Sequence, residues 1–514
     1  MRPDGVSAGS NAVFLTVLSA LSQVLSFFYR VGLSRLVGAQ VMGLYQLVMP
    51  VYAVLMSLTA TGLTAAVSTL SAKYLALGNG RAVRQTVGRS LVLFGAVLVP
   101  LGVLTVALYD PISVYLLGDA RTQLGLVLLV PCVALTGVEN LHKHFFYGTG
   151  RVRAPAVVEL LEQFIRTGAV LGLLVVFLPQ NPERTVGLIV TGMVLCEVFS
   201  ASVLVGLFRR EMARLGDSGP GERPGRLYPR MASIAAPVTL TALLGNLMNA
   251  VNAAMVPKWL VASGMERGEA MAAFGVVCGM TLPMLSMPML FLGAVNLILV
   301  PRVARSCALG RMDGVRRDIC RALETVCALI LPCMALMSVV GGRLGRLLFA
   351  QPQTERYLTA LALSLVCAAV QSVLSGALNG MEKQGVSAAI ALVCDVVQLG
   401  VTALAMGRSG GGMDGFVTGM AVSSVLGMVL ALWAVRRYTG LHLGLWRAWG
   451  GPLLAGVLCR QTASVLLGVL SRAGASDWTQ IGLTALLGLG VYLGAMCAMG
   501  LENVIFPVRK KKSR

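Results

Sequence analysis

The chain has 514 residues, of which 56% are hydrophobic and only 12% charged, with a mean hydropathy of +0.79. A soluble chain of this length carries about 25% charged residues, and apolar stretches recur along the whole of this one. The composition therefore excludes a globule with a single anchor and describes a polytopic helical membrane protein. A net charge of +20 raises the question of nucleic acid, but most of it lies in short loops between apolar spans, so no nucleic-acid partner is expected.

Fourteen apolar segments are each long enough to span a bilayer at about 1.5 Å per residue. They fall near residues 11–37, 43–72, 87–108, 122–147, 154–178, 185–208, 231–257, 272–300, 319–341, 357–379, 386–407, 414–435, 451–470 and 479–500, with short extensions of the third and ninth ending near Leu117 and Phe349. The predicted fold class is all-α. The short polar N-terminus has no cleavage-site pattern after the first apolar run, which reads as a retained helix. That first segment carries Arg30 and then Arg35. An arginine inside a membrane helix costs about 3 kcal/mol or more. Arg30 thus has two readings: it snorkels to the outer headgroups, or it faces a wet interior where a guanidinium can hold a phosphate or pyrophosphate with paired donors.

In the fourth segment Glu139 and Asn140 are polar, and His142 and His144 flank Lys143. No further ligands lie nearby, so the histidines read as an interfacial basic patch and no metal site is expected. The fifth segment holds Glu159, Glu162 and Arg166. Glu162 and Arg166 are four apart and share a helix face, with Glu159 a turn earlier. They read either as an ion pair bracing a bundle or as a charged cavity wall for gating and for coupling to H+ or Na+. Residues 209–230 contain GDSGPGERPGR, the composition of a flexible linker. Beyond it, Asn246, Asn249 and Asn252 form a polar stripe at spacing three. Such amides either glue membrane helices or supply neutral donors and acceptors to a sugar. Asn296, Gln371 and Asn379 are weaker cases of the same kind. Asp395 and Gln398 repeat the polarity of the fifth segment in the eleventh, and Arg460 has no partner legible in the sequence. The eleven cysteines are scattered without a CxxC pair and read as small buried hydrophobes. No nucleotide loop occurs, no cofactor is expected, and no nucleophile–base constellation suggests an enzyme.

A repeat crosses the linker. At a constant offset of 232, Ala76-Leu77-Gly78 matches Ala308-Leu309-Gly310, Arg84 and Arg89 match Arg316 and Arg321, Pro100 matches Pro332, Gly148 matches Gly380, Arg151 matches Lys383 and Gly168 matches Gly400. Six helices per unit is even, so the two copies keep one orientation. The expected architecture is two six-helix bundles related by a pseudo-two-fold axis along the membrane normal, followed by two extra helices. The lobes are residues 1–208 and 231–440, the linker is 209–230, and 441–514 holds the last two helices and a basic tail. With the N-terminus inside, the inner loops and tails hold 29 of the 42 lysines and arginines and the outer ones 11. Both termini are therefore expected in the cytoplasm.

The stretch YRVGLSRLVGAQVMGLYQLVMPVYAVLMSLTATGL at 29–63 resembles the opening of the stage V sporulation protein B group. That group lies in the polysaccharide-exporter branch of the multidrug/oligosaccharidyl-lipid/polysaccharide (MOP) flippase superfamily. FFYGTGRVRAPAVVELLEQFIR at 145–166 and LNGMEKQ at 378–384 are similar to that group's turns after its fourth and tenth helices. The resemblance implies a two-lobed transporter that moves an undecaprenyl-pyrophosphate-linked saccharide, a peptidoglycan or spore-cortex precursor, between leaflets by alternating access. It also implies contact of the last two helices with the lipid tail. In related lipid II flippases several cavity arginines come from the first two helices. The matching places here are Gln23, Tyr29 and Val54, and only the neighbouring Arg30 keeps a positive charge. Arg30 is then the expected diphosphate ligand, with Asn246, Asn249, Asn252 and Asn379 on the sugar. Glu139, Glu159, Glu162, Arg166, Asp395 and Gln398 are the gating or coupling set. Two alternatives stand beside it: a cation-coupled exporter of small cationic compounds, and a scaffold for envelope-synthesis enzymes, which are also candidate partners of the transporter.

Overall fold

The structure is a computed structural model, which describes residues 8–177, 181–216, 218–407, 412–441 and 446–501. Their regular structure is all helix, without a strand. Thirteen helical runs are long and apolar enough to cross a membrane, and the protein is multi-pass. The first run, Val17–Ala76, has 60 residues, about three bilayer crossings' worth of rise for a single straight helix. It breaks at Gly38, whose φ of 76° and ψ of 174° are not helical. That region is open essentially to glycine alone. Dividing the run there reproduces the fourteen expected spans, with the break between the residues 37 and 43 that bound the first two.

The helices are α1 (Ala8–Met56, broken at Gly38), α2 (Gly62–Ala76), α3 (Gly80–Ala107), α4 (Gln123–Gly148), α5 (Arg153–Phe177), α6 (Pro182–Leu215), α7 (Pro224–Ala262), α8 (Arg267–Phe274), α9 (Leu290–Ala308), α10 (Met312–Phe349), α11 (Thr354–Gly380), α12 (Gln384–Met406), α13 (Asp414–Thr439), α14 (Gly451–Arg472) and α15 (Asp477–Ala498). A π-helical turn joins α1 to α2, and short turns at 275–289 make α8 and α9 nearly continuous. The repeat is visible in the helix limits. α3 starts at Gly80 and α10 at Met312, α4 ends at Gly148 and α11 at Gly380, and α6 starts at Pro182 and α13 at Asp414. Each pair lies 232 apart, and Pro100 and Pro332 lie inside α3 and α10.

The chain divides into two compact units. One holds Met1–Lys258 and Glu266–Gly275, the other Trp259–Met265 and Val276–Arg514. α7, the first helix of the second sequence repeat, thus packs with the first six spans. The reason lies in its opening turns, where Leu227 and Met231 are fully buried in one cluster with Leu70, Tyr74, Ala82, Val83 and Val87.

The preceding segment corrects the expectation of a flexible linker. Its glycines Gly216, Gly219 and Gly221 take positive φ and wrap the chain around the α2–α3 turn. Gly80 N–H donates to Ser218 Oγ at 3.2 Å, Arg81 N–H to Ser218 O at 3.1 Å and Glu222 N–H to Gln85 Oε1 at 2.7 Å. Glu222 Oε2 accepts from Tyr74 Oη at 3.0 Å and pairs with Arg230 at 3.1 Å. Arg89 donates to Glu222 O at 3.3 Å, and its guanidinium lies 5.7 Å from the Tyr228 ring. A glycine-rich composition here encodes a tight wrap.

In the second unit α14 and α15 pack on α10 through Ala328, Ala335, Ala455, Cys459, Tyr492 and Met496, all buried. Arg460 finds a partner there: its Nε donates to Ser338 Oγ at 3.3 Å. Asn296 Nδ2 donates to Ser372 Oγ at 3.2 Å, joining α9 to α11.

Candidate functional site

Charged side chains from α4, α5 and α6 meet inside the first unit. Spacing of four puts Glu139 above Lys143 on α4 and Glu162 above Arg166 on α5, while Glu159 stands a turn before Glu162. Arg166 is about 20 Å along α5 from Arg153, near the middle of a crossing. Its Nη2 pairs with Glu162 Oε1 and lies 3.1 Å from Glu197 Oε1, and its Nε donates to Cys196 Sγ at 3.4 Å. Ser200 Oγ donates to Glu162 Oε2 at 3.4 Å. Lys143 Nζ lies 3.6 Å from Glu139 Oε1 and 3.2 Å from Glu159 Oε2, and Tyr147 Oη donates to Glu159 Oε2 at 3.3 Å. Glu139 and Glu197 lie within electrostatic range of each other, which links the two halves of the network. Relative exposure is 2% for Glu139, 5% for Glu162 and 2% for Glu197.

Four carboxylates therefore meet two fixed cations, an excess of two negative charges when all are ionised. A buried carboxylate without a partner is strongly disfavoured. Two polar atoms remain open: Glu197 Oε2 and Tyr29 Oη are buried and have no hydrogen-bond partner among the described residues. The ligand atoms of Glu162, Cys196 and Glu197 lie within 4.8 Å of one another, the spacing of a metal site. The Arg166 guanidinium bonds to all three and supplies the positive charge those donors need.

The structure brings Glu139, Glu159, Glu162 and Arg166 together and adds Lys143, Cys196 and Glu197, which the sequence analysis did not assign to this site. Glu197 had a signal: it is the one carboxylate in the apolar stretch between Arg184 and Arg209. The interfacial reading of Lys143 and its histidines is corrected. Lys143 is the bridge between two glutamates, and His142 is buried with its Nδ1 2.7 Å from Val138 O and its ring edge-on to Phe208.

The other candidates lie apart from this network. Arg30 is half-buried on α1, with Tyr29 and Tyr45 within electrostatic range. Asn246 Nδ2 donates to Ser57 Oγ at 2.6 Å, fastening α7 to the turn after α1. Asn249 is exposed, and Asn252 Oδ1 is buried without a partner among the described residues. Asp395 and Gln398 are half-buried on α12 and Asn379 is exposed at the end of α11, all in the second unit.

The described residues thus form a multi-pass helical protein with an internal repeat and, in its first unit, a buried ionic network. The solved structure of a lipid II flippase MurJ in an inward closed conformation is similar, with a TM-score of 0.72 at 12% identity over 95% of this chain and 98% of that one. An inward-facing MATE family multidrug transporter of the MOP superfamily scores 0.65 at 13% identity over 82% and 94%. The fold is therefore shared with both of these transporters. The chain belongs to the polysaccharide biosynthesis protein family, whose sequence profile matches residues 8–299, more than half its length. The profile of the lipid II flippase MurJ family matches residues 237–486. Stage V sporulation protein B of Bacillus subtilis (strain 168) is 21% identical over 421 residues, 81% of this chain and 80% of that protein.

Proposed function

We propose that the protein is a flippase that carries an undecaprenyl-pyrophosphate-linked saccharide, a peptidoglycan or spore-cortex precursor, from the inner to the outer leaflet of the bacterial cytoplasmic membrane. The observation that carries this reading is the pair of overlapping family matches, polysaccharide biosynthesis over 8–299 and lipid II flippase over 237–486, on a chain that folds like both kinds of MOP transporter. Arg30, half-buried and without an ion pair among the described residues, offers its paired donors to the diphosphate. Asn249 and Asn252 on α7 present amides to the sugar, while Asn246 is committed to Ser57. The network around Arg166 serves gating or coupling, with Asp395 and Gln398 as its counterpart in the second unit, and H+ or Na+ is the coupling ion. Both termini lie in the cytoplasm, and membrane lipids and envelope-synthesis enzymes are the partners this role requires.

Purified protein in vesicles loaded with a fluorescent undecaprenyl-pyrophosphate disaccharide tests the reading. Active protein makes the probe accessible to an impermeant quencher from the opposite side, and Arg30→Ala slows this at least tenfold. A probe that keeps its original leaflet with wild-type protein overturns the proposal. The excess of carboxylates in the first unit favours a second reading, cation-coupled export of small cationic compounds. That reading predicts efflux of a cationic dye and no movement of the lipid.

A further inference from the structure

Arg460 stands near the middle of α14, about 14 Å of helix rise from Gly451 and about 18 Å from Arg472. It is exposed, and Val457 and Leu453, one and two turns before it on the same face, are exposed as well. That face therefore meets hydrocarbon, where a lone charge is disfavoured. Arg460 Nε donates to Ser338 Oγ at 3.3 Å, and Ser338 Oγ donates in turn to Ala335 O at 2.8 Å. The N–H groups of Nη1 and Nη2 have no acceptor among the described residues.

The chain itself shows how a guanidinium at this depth is satisfied. Arg166 in the first unit takes carboxylates from two helices, Glu162 and Glu197. In the second unit the mid-span carboxylate Asp395 lies on α12, which packs against α13, while α14 packs against α10 and α15. No ion pair joins Asp395 to Arg460 among the described residues. Further along the same face of α14 come Ser464 and Gly468, at spacing four and both exposed, and a Cβ added at Gly468 meets open space. Small residues at that spacing let a second helix come close. We propose that this face of α14 is the docking surface for a separate membrane-spanning helix that carries one aspartate or glutamate halfway across, paired to Arg460.

Depth and charge select that occupant. A phospholipid phosphate sits at the edge of a hydrocarbon core about 30 Å thick, farther from mid-span than an arginine side chain extends. A diphosphate brings more than one negative charge against a single guanidinium, and the exposed Leu453, Val457 and Val465 offer its sugar no polar wall. A helix satisfies its own backbone polar groups inside the bilayer. Its carboxylate brings a single charge, which Nη1 and Nη2 hold through two parallel hydrogen bonds.

The test uses the full chain in vesicles, with a donor dye on Cys497, which is exposed at the end of α15. The probe is a synthetic leucine–alanine helix of about 20 residues, with an acceptor dye and one glutamate at mid-length; a second probe has alanine there. The glutamate helix is expected to bind at least tenfold more tightly than the alanine helix. R460L, whose side chain suits hydrocarbon, removes that difference, and R460K, which loses the fork, keeps part of it. G468L, whose added Cβ meets nothing in its own chain, weakens binding of the glutamate helix severalfold with Arg460 intact. Equal binding of the two probes to wild-type protein, or a tenfold preference that survives in R460L, overturns the charge pairing. Unweakened binding to G468L overturns the docking face. Displacement of the glutamate helix by the labelled lipid-linked disaccharide gives the site to the lipid and overturns the partner helix. Wild-type self-association that is lost in both R460L and D395N does the same, because a second copy is then the occupant. None of these readouts uses transport, so the outcome is independent of the flippase reading.

Discussion

Truncating Arg166 leaves Glu162 and Glu197 buried against one another with no guanidinium between them. Breaking a buried ion pair by deleting one partner costs about 3–5 kcal/mol, because the remaining charge stays desolvated. Arg166→Ala is therefore expected to lower the unfolding midpoint in detergent sharply. Arg166→Lys recovers only part of the loss, since a point-like ammonium cannot bridge Glu162, Cys196 and Glu197 together. Equal midpoints for wild type and Arg166→Ala would show the network to be idle. A second residue points the other way. Glu382 has a φ of 60° at the place the repeat gives to Gly150, whose φ is 75°. A left-handed non-glycine residue costs about 1–2 kcal/mol, so Glu382→Gly is expected to stabilise the chain by about 1 kcal/mol in the same measurement. Half of the network was legible in sequence because Glu159, Glu162 and Arg166 lie within eight residues and announce their shared face. Glu197 and Tyr29 reach the same place from other helices, and nothing in their own neighbourhoods states the distance.

Helices were the most legible level, because bilayer thickness fixes how long an apolar run must be. The break at Gly38 falls where two runs meet. The segment between α6 and α7 was misread for a physical reason. Glycine and proline lower the order of a chain in isolation, yet positive φ at Gly216, Gly219 and Gly221 also allows backbone to approach a neighbouring turn closely. Here that turn supplies Gln85, Arg81 and Tyr74 as partners, and Glu222 is the shared hub. Removing the Glu222 side chain forfeits the hydrogen bond from Tyr74, about 1 kcal/mol, which is about a fivefold rise in local opening. Glu222→Ala is expected to be cut severalfold faster by trypsin after Arg226, which is exposed, under native conditions, with cleavage elsewhere unchanged. Equal rates would mean that the wrap is held without Glu222.

For the whole molecule the decisive property is an even number of crossings, which turns a charge bias into a statement about sides. The repeat keeps its turns, the Pro100–Pro332 pair and basic residues of its loops, but not the carboxylates inside its spans. At the same offset Glu139 becomes Gln371, Glu162 becomes Cys394 and Glu197 becomes Val429. The first unit alone carries the ionic network, so the two halves share a scaffold and differ in chemistry. Side-specific labelling of cysteine tests the orientation. Cys497 is the exposed one of the eleven native cysteines and lies at the end of α15 that leads into the basic tail, so the parent chain is expected to resist an impermeant maleimide in intact cells. Leu77 and Leu309, exposed at repeat-related turns, belong to the basic side: Leu77→Cys and Leu309→Cys are expected to react only after the cells are opened. Ala473, exposed between α14 and α15, belongs to the opposite side, and Ala473→Cys is expected to react in intact cells. If Leu77→Cys and Leu309→Cys react from opposite sides, the crossing number between them is odd and the parallel duplication fails. If both react from outside while Ala473→Cys does not, the duplication survives and the orientation is inverted, which reverses the leaflet from which a lipid-linked substrate would be taken.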